Sequence, residues 1–461
     1  MPFLRLSSSR ISNFIPRHVT GIHSLPPELL CEIFLELPDH AFSLHSDGRS
    51  APPVHALSHV CRGWRSVAQE LCPSLWTDIR ILHCRVGQPA MVEAYLRRSG
   101  GLLLDIVLDI HDTVEYLDDR PFWQVLLRVW SAAGRWRSLQ LRTTLANFAA
   151  IRENLGGASV ETPLLESLAL FAVGNEYTSA IDDLLSGVAT QATRVGCDHV
   201  HIQGMPMLKA LMLHGVKLET DVSLFAPRLE TLDLSFAPHG SAFLTSLAEQ
   251  FHSDAEDLPL VPGIRHLTLR GSHIPESTAL ISYLSHLTAL TLGNVDGIDA
   301  PSLCRSINAS LLEELSLEKV TNAFWLAFSS VQMTFPVLHT LTLSSNSIAG
   351  HFLPGPNGVE FPALTRLRLS DFASCSNLIT ELGVSALESA AFIPWRTLTD
   401  LTVTGDPDYR ALRTLVDARS AMGVPIRSLT VDSPLFIDAS ALNWLKRNVE
   451  EFTRVVPNPR R

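Results

Sequence analysis

Residues 336–343 read Pro336-Val337-Leu338-His339-Thr340-Leu341-Thr342-Leu343. Leu341 and Leu343 lie two apart, so on an extended strand they share one face while Thr340 and Thr342 share the other. The spacing Leu-x-x-Leu-x-Leu returns at Leu165/Leu168/Leu170, Leu208/Leu211/Leu213, Leu229/Leu232/Leu234, Ile264/Leu267/Leu269, Leu287/Leu290/Leu292, Leu312/Leu315/Leu317 and Leu364/Leu367/Leu369, with variants that start at Trp136, Leu398 and Ile426. These eleven copies follow one another at intervals of 21 to 43 residues, the length at which one strand and one returning helix make a repeat.

Six copies carry a proline two residues ahead of the first leucine: Pro163, Pro206, Pro227, Pro262, Pro336 and Pro362. Proline cannot continue a helix and biases its neighbour toward extended geometry, so it ends the returning segment and launches the next strand. Between copies, residues 179–189, 243–251, 279–287 and 411–422 space their apolar side chains three and four apart, as helices do. Alternating strand and helix implies an α/β fold: a solenoid with a curved parallel sheet and helices on the convex side. The pattern resembles the leucine-rich-repeat family over about two thirds of the chain, with one departure. Three residues past the last leucine, where that family often has Asn or Cys, only Asn346 fits, against Ser272, Val295, Val320 and Phe372. An asparagine ladder is therefore not expected, and the corners should be irregular and apolar.

The amino-terminal part reads differently. Ser24-Leu-Pro-Pro-Glu-Leu-Leu-Cys-Glu-Ile-Phe-Leu-Glu-Leu37 opens on proline, suited to a first helical turn, and sets Leu25, Leu29, Ile33 and Leu37 four apart. A second helix is predicted through Leu57, Val60, Cys61, Trp64, Val67, Ala68 and Leu71. Two helices this short expose more apolar surface than they cover between them. The elements Leu25-Pro26-x-Glu28, Ile33-Phe34, Val60-Cys61-Arg62-x-Trp64 and Leu75-Trp76, in that order, resemble an F-box, of the form common ahead of irregular leucine-rich repeats in mushroom-forming (basidiomycete) fungi. The resemblance implies a non-catalytic, substrate-recruiting subunit of an SCF-type ubiquitin ligase. Its partner would be the adaptor subunit of the cullin-RING ligase, touched by Leu25, Pro26, Leu29, Ile33, Leu37, Val60, Cys61 and Trp64. A Pro-, Ser- and His-rich insert at 38–53 departs from the pattern. The same leucines also suit an end cap for the solenoid in a non-ligase scaffold, which repeat proteins need.

The expected layout is a basic, disordered tail at 1–21, the helical module at 22–79, a connecting strand and helix at 80–135, the solenoid at 136–455 and a tail at 456–461. The first 27 residues hold Arg5, Arg10 and Arg17, five serines and no acid, a composition shared by transit peptides and disordered tails; the tail is the simpler reading. Seven cysteines are odd in number, scattered and free of any Cys-x-x-Cys, so no disulfide framework is expected and the thiols should be reduced core residues of a cytoplasmic or nuclear protein. A net charge of −11 argues against neutralising nucleic-acid phosphates. The uncharged run Val320–Val359 is broken by polar residues and prolines, as suits repeat interior and no membrane span.

No catalytic constellation stands out: Gly-x-Ser-x-Gly, a Walker-type loop and His-Glu-x-x-His are all absent from the sequence. Cys197, His199 and His201 would share one face of a strand, a metal cluster lacking a fourth ligand. No cofactor or metal is expected. Function should instead lie on the residues interleaved with the leucines, where the candidates for a protein substrate are Arg270, Glu314, Glu318, Arg366, Arg368 and Asp400. The acidic rung at Glu314 and Glu318 is two strands, about 10 Å, from the basic rung at Arg366 and Arg368. At that separation the two rungs should form a bipolar patch and leave direct pairing out of reach.

Overall fold

The computed structural model describes residues 22, 25–36, 53–82, 87–110, 120–144, 147–148, 150–151, 160–173, 202–203, 205–216, 228–236, 264–271, 286–294, 310–321, 324–325, 328, 333–344, 359–370, 375–388, 395–405, 408–432 and 439–455. The chain divides into two compact units, Met1–Thr77 with Ala94–Leu102, and Asp78–Glu93 with Leu103–Arg461.

The first unit is helical: α1 (Pro27–Leu35), α2 (Pro53–Val60) and α3 (Arg62–Ser66) are followed by a turn of π-helix at Val67–Leu71 and a 3-10 turn at Pro73–Trp76. Its core is Leu30, Phe34, Leu57, Val67, Ala68 and Cys72, with Leu25, Cys31, Trp64 and Leu75 packed against it. Trp76 is buried beside it and donates its indole N–H to the Ala68 carbonyl at 2.7 Å. Two expectations are corrected here. The single second helix is broken at Cys61, which is extended at φ −157° and caps α3 by accepting the Trp64 N–H on its sulfur at 3.4 Å. Cys31 and Cys72, expected to be reduced, form a disulfide with Cα atoms 5.8 Å apart across 41 residues. Helix packing, not spacing in the sequence, brings those two sulfurs together.

The second unit is built on one fourteen-stranded sheet with every pair parallel. In chain and spatial order the strands are β1 (Asp78–Ile81), β2 (Leu104–Asp109), β3 (Trp136–Thr143), β4 (Ser167–Ala172), β5 (Ala210–His214), β6 (Thr231–Ser235), β7 (His266–Arg270), β8 (Ala289–Gly293), β9 (Glu314–Glu318), β10 (Thr340–Ser344), β11 (Arg366–Ser370), β12 (Asp400–Thr404), β13 (Ser428–Asp432) and β14 (Glu451–Val455). Eleven of them, β3 to β13, carry the repeated leucine motif. The arrangement is an α/β, solenoid-like fold. Leucines stay in register from strand to strand, as in Leu290–Leu315–Leu341–Leu367, and each is almost completely buried. Each such side chain stabilises the fold by about 1.5–3 kcal/mol relative to exposure.

The proline ahead of the motif has a specific place in the copies that carry it. The N–H of Leu165, Leu208, Leu338 and Leu364 donates to the carbonyl of Thr162, Met205, Phe335 and Phe361 respectively. These are four-residue turns with Pro163, Pro206, Pro336 and Pro362 at the second position, where proline's fixed φ fits. Pro227 and Pro262 lie outside the described residues. Residues that open the later turns form an aromatic row, with Phe335 to Phe361 at 5.7 Å and Phe361 to Trp395 at 6.3 Å.

At the far end of the strands, Gly215, Phe236, Gly271, Asn294, Lys319 and Gly405 all have positive φ. Each donates its N–H to the carbonyl of the last residue in the following strand: Ser235, Arg270, Gly293, Glu318, Ser344 and Asp432. This backbone ladder of left-handed residues holds the corners where an asparagine ladder is missing. The apolar corners expected are present at Val216 and Val320, both buried; Ser272, Val295, Asn346 and Phe372 lie outside the described residues. The helices α4 (Gln88–Arg98), α5 (Arg120–Ser131), α6 (Cys375–Glu388), α7 (Tyr409–Ala421) and α8 (Ala439–Asn448) complete the described fold. Of the four helical segments read between repeats, 411–422 corresponds to α7; residues 179–189 and 243–251, and 279–285 of the third, lie outside the described residues. Among the described residues no helix is long and apolar enough to cross a membrane.

Candidate functional site

On the first unit, α1 has two apolar stripes. Leu30 and Phe34 are buried in the core, whereas Leu29 and Ile33, one residue earlier in each case, are 44% and 41% exposed. Pro26 is also exposed, and Val60 at the end of α2 is 55% exposed. An exposed apolar stripe beside a buried one marks a face that the unit's own core leaves uncovered. The other expected partner contacts are less open. Leu25 and Trp64 pack on the core, Trp64 with its ring 5.0 Å from Phe34, and the sulfur of Cys61 is engaged in capping α3. The Trp64 indole N–H is buried without a hydrogen-bond partner among the described residues. Leu37 and residues 38–52 of the insert lie outside them.

In the same unit, Trp76 stands edge-on to Tyr95 at 4.9 Å and to His55 at 6.3 Å, with the Arg98 guanidinium 4.2 Å from its ring centre. Burial, with Arg98 and His59 adding repulsion, lowers the His55 pKa below the ordinary histidine value. Its Nε2 is buried and has no partner among the described residues.

On the second unit, the face opposite the leucines is half-exposed along the strands. Here the structure revises the bipolar patch. Arg270 and Glu318 are two strands apart, in register through Gly293, and they bind each other: Nε to Oε2 at 2.7 Å and Nη2 to Oε1 at 2.8 Å. The hydrogen-bonded carboxylate raises the Arg270 pKa above its ordinary value despite burial. The two-strand separation of about 10 Å is spanned here because the strand between offers a glycine. A Cβ on Gly293 would sit 2.7 Å from Arg270 Cγ. The network continues to Ser235, which accepts from Arg270 Nη1 at 3.3 Å, and to Asp233, 3.2 Å from the His214 ring.

Other arginines of this sheet are likewise held by carboxylates. Arg80 pairs with Asp78 at 2.8 Å, Arg142 with Asp109 at 3.7 Å, and Arg137 with Asp105. Burial would raise the Asp105 pKa, but hydrogen bonds from Arg137 and Ser138 prevail and lower it. Arg366 and Arg368 differ: both are exposed. Among the described residues neither has a carboxylate within ion-pair distance. Asp400 is in register beside Arg366, and its Oδ2 accepts from the Thr399 hydroxyl at 3.1 Å. Glu314 is exposed two strands away, across Thr340.

One buried charge escaped sequence reading. Arg419 on α7 is fully buried and donates through Nη2 to the carbonyls of Trp395 at 3.1 Å, Leu398 at 3.0 Å and Arg396 at 3.4 Å. Burial lowers its pKa to about 10. Cys197, His199 and His201 lie outside the described residues.

Residues 22–82 match the family model for F-box-like domains, a span that contains α1 to α3 and the disulfide. No curated protein matches the chain.

Proposed function

We propose that this chain is a non-catalytic, substrate-recruiting subunit of an SCF-type cullin-RING ubiquitin ligase. The observation that carries the reading is the second apolar stripe of α1 within the F-box-like region: Pro26, Leu29 and Ile33, with Val60, are exposed while Leu30 and Phe34 make the core. An F-box docks the adaptor subunit of the ligase, and this stripe is the surface we assign to it, with Leu25, Leu37, Cys61 and Trp64 at its border.

The repeats are read as leucine-rich repeats whose open sheet face takes the substrate protein. Fourteen strands about 4.8 Å apart offer roughly 60 Å of surface, suited to a protein more than to a metabolite. Arg366, Arg368, Glu314 and Asp400 are the side chains assigned to substrate, with Arg270 and Glu318 setting the shape of the face beside them. Sign complementarity there sets specificity more than affinity.

Co-expression with the adaptor subunit tests the first half. The expected result is a one-to-one complex on size exclusion that is lost in a Leu29→Glu, Ile33→Glu variant, while Arg366→Glu, Arg368→Glu leaves it intact. A wild-type chain that elutes alone and folded defeats the ligase reading.

A further inference from the structure

Four arginines on this sheet are each matched by a carboxylate of the chain itself, whereas among the described residues Arg366 and Arg368 have none. The matched ones are Arg80, Arg137, Arg142 and Arg270; the unmatched ones, Arg366 and Arg368, are neighbours on one strand. Two residues apart on β11, their Cα atoms are about 6.6 Å from each other and their side chains leave the same face. Strand β10, on one side, contributes Thr340, Thr342 and Ser344, with no charge. Strand β12, on the other, sets Thr402 beside Arg368 and Asp400 beside Arg366. In a chain of net charge −11, two exposed guanidiniums flanked by hydroxyls and by one carboxylate, Asp400, leave a net positive spot. An arginine fork is suited to donating two parallel hydrogen bonds to a carboxylate, as Arg270 does to Glu318.

We infer that the open face over β9, β10 and β11 holds a peptide segment of another protein that supplies the missing carboxylate to Arg366 and Arg368 and sets a basic side chain, three residues along, against Glu314. The spacing follows from the strands. Glu314 and Arg366 are two strand spacings apart, about 10 Å. A β-strand ligand crossing them would turn residues n and n+3 to opposite faces. A polyproline II segment brings n and n+3 to the same side, about 9.3 Å apart. The ligand chemistry is therefore an acidic residue and a basic residue three apart in a proline-rich, extended stretch.

This inference rests on the open face being the substrate surface and is independent of adaptor docking, since the chain is tested without the adaptor. The probe is fluorescein-labelled Gly-Glu-Pro-Pro-Lys-Gly, read by fluorescence anisotropy against the full chain, with two further probes in which Gln or phosphoserine replaces Glu. The Glu probe should bind about ten-fold more tightly than the Gln probe, the worth of one good charged pair. An Arg366→Gln, Arg368→Gln variant should erase that difference with an unchanged melting midpoint, because both side chains are exposed. Glu314→Gln should weaken the Glu and Gln probes alike. Equal binding of these two probes, no saturable binding by the folded chain, or a preference that survives in the double variant overturns the inference. A phosphoserine probe tighter than the Glu probe by more than about ten-fold overturns the carboxylate assignment and gives the site to a dianion. If adaptor docking fails and this test succeeds, only the ligase reading is lost.

Discussion

Replacing Gly293 with alanine should change sign according to what stands at position 270. In the wild-type background the new Cβ would lie 2.7 Å from Arg270 Cγ, 3.3 Å from its Cδ and 3.2 Å from Glu318 Oε2. Cγ is close to the stem of the side chain, so the clash is relieved only by swinging the whole arginine off Glu318. The pair lost is bidentate and only 28% and 27% exposed, and its coupling is about 1.5–2 kcal/mol. Against this, alanine in place of a strand glycine gains about 0.5–1 kcal/mol; Gly293 has no positive φ that would forbid it. The net expectation is a loss of about 1 kcal/mol. In an Arg270→Ala background both the clash and the pair are gone, and the same substitution should stabilise by about 0.5–1 kcal/mol. Urea unfolding of the four proteins, followed by far-ultraviolet circular dichroism, resolves a difference of that size. Equal effects of Gly293→Ala in both backgrounds would refute the view that this glycine exists to let Arg270 cross its strand.

Three further outcomes are expected. Arg419→Met leaves the carbonyls of Trp395, Arg396 and Leu398 without the donor they share and should cost about 3 kcal/mol or more in the same urea experiment; a loss under about 1 kcal/mol would show those carbonyls satisfied elsewhere. His55 has a folded-state pKa below the unfolded value of 6.5, so the unfolded chain binds its proton first. Its contribution is fully present above pH 6.5 and is lost as the pH falls from there through the lowered value. The F-box-like unit should melt earlier in that acid window, and His55→Gln should flatten the response; identical profiles would exclude His55 as the cause. The Cys31–Cys72 bridge closes a separation of 41 residues, worth about 4 kcal/mol on a loop-entropy account. Reductant should lower the melting midpoint of that unit, whereas alkylation of both cysteines in the untreated native protein would show the bridge absent.

The strands were legible because leucines two apart fill one face in copy after copy, and in six of the eleven a proline stands ahead of them, suited to start the entry turn. β1 has the spacing in Trp76, Ile79 and Ile81 but no leucine in it, and at β14 an arginine, Arg454, stands in register with Val431. β2 carries the motif spacing at Leu103, Ile106 and Leu108, with Ile106 and Leu108 buried. In the F-box-like unit the elements were placed correctly in order, yet the buried stripe of α1 is one residue off the four-apart series. Periodicity alone does not say which of two apolar stripes faces inward. Cys31 and Cys72 could not be paired from spacing, since their proximity is a product of helix packing. Two signals were readable and went unused. Arg419 falls four residues after Leu415 on the buried stripe of α7, where a charge demands a partner. Gly293 breaks a column otherwise made of side chains, and a strand glycine marks a close approach by something else.

The most direct measurement is isothermal titration of the purified chain with the purified ligase adaptor subunit, for wild type and for Leu29→Ala, Ile33→Ala. The two side chains are 44% and 41% exposed, so docking has about 1 kcal/mol to gain at each. The expected result is a one-to-one isotherm for wild type and an affinity about 30-fold weaker for the variant, with the melting midpoint unchanged because neither residue is in the core. An absence of heat from folded wild-type protein, or an isotherm indifferent to the two substitutions, would contradict the assignment of this stripe as the ligase-facing surface.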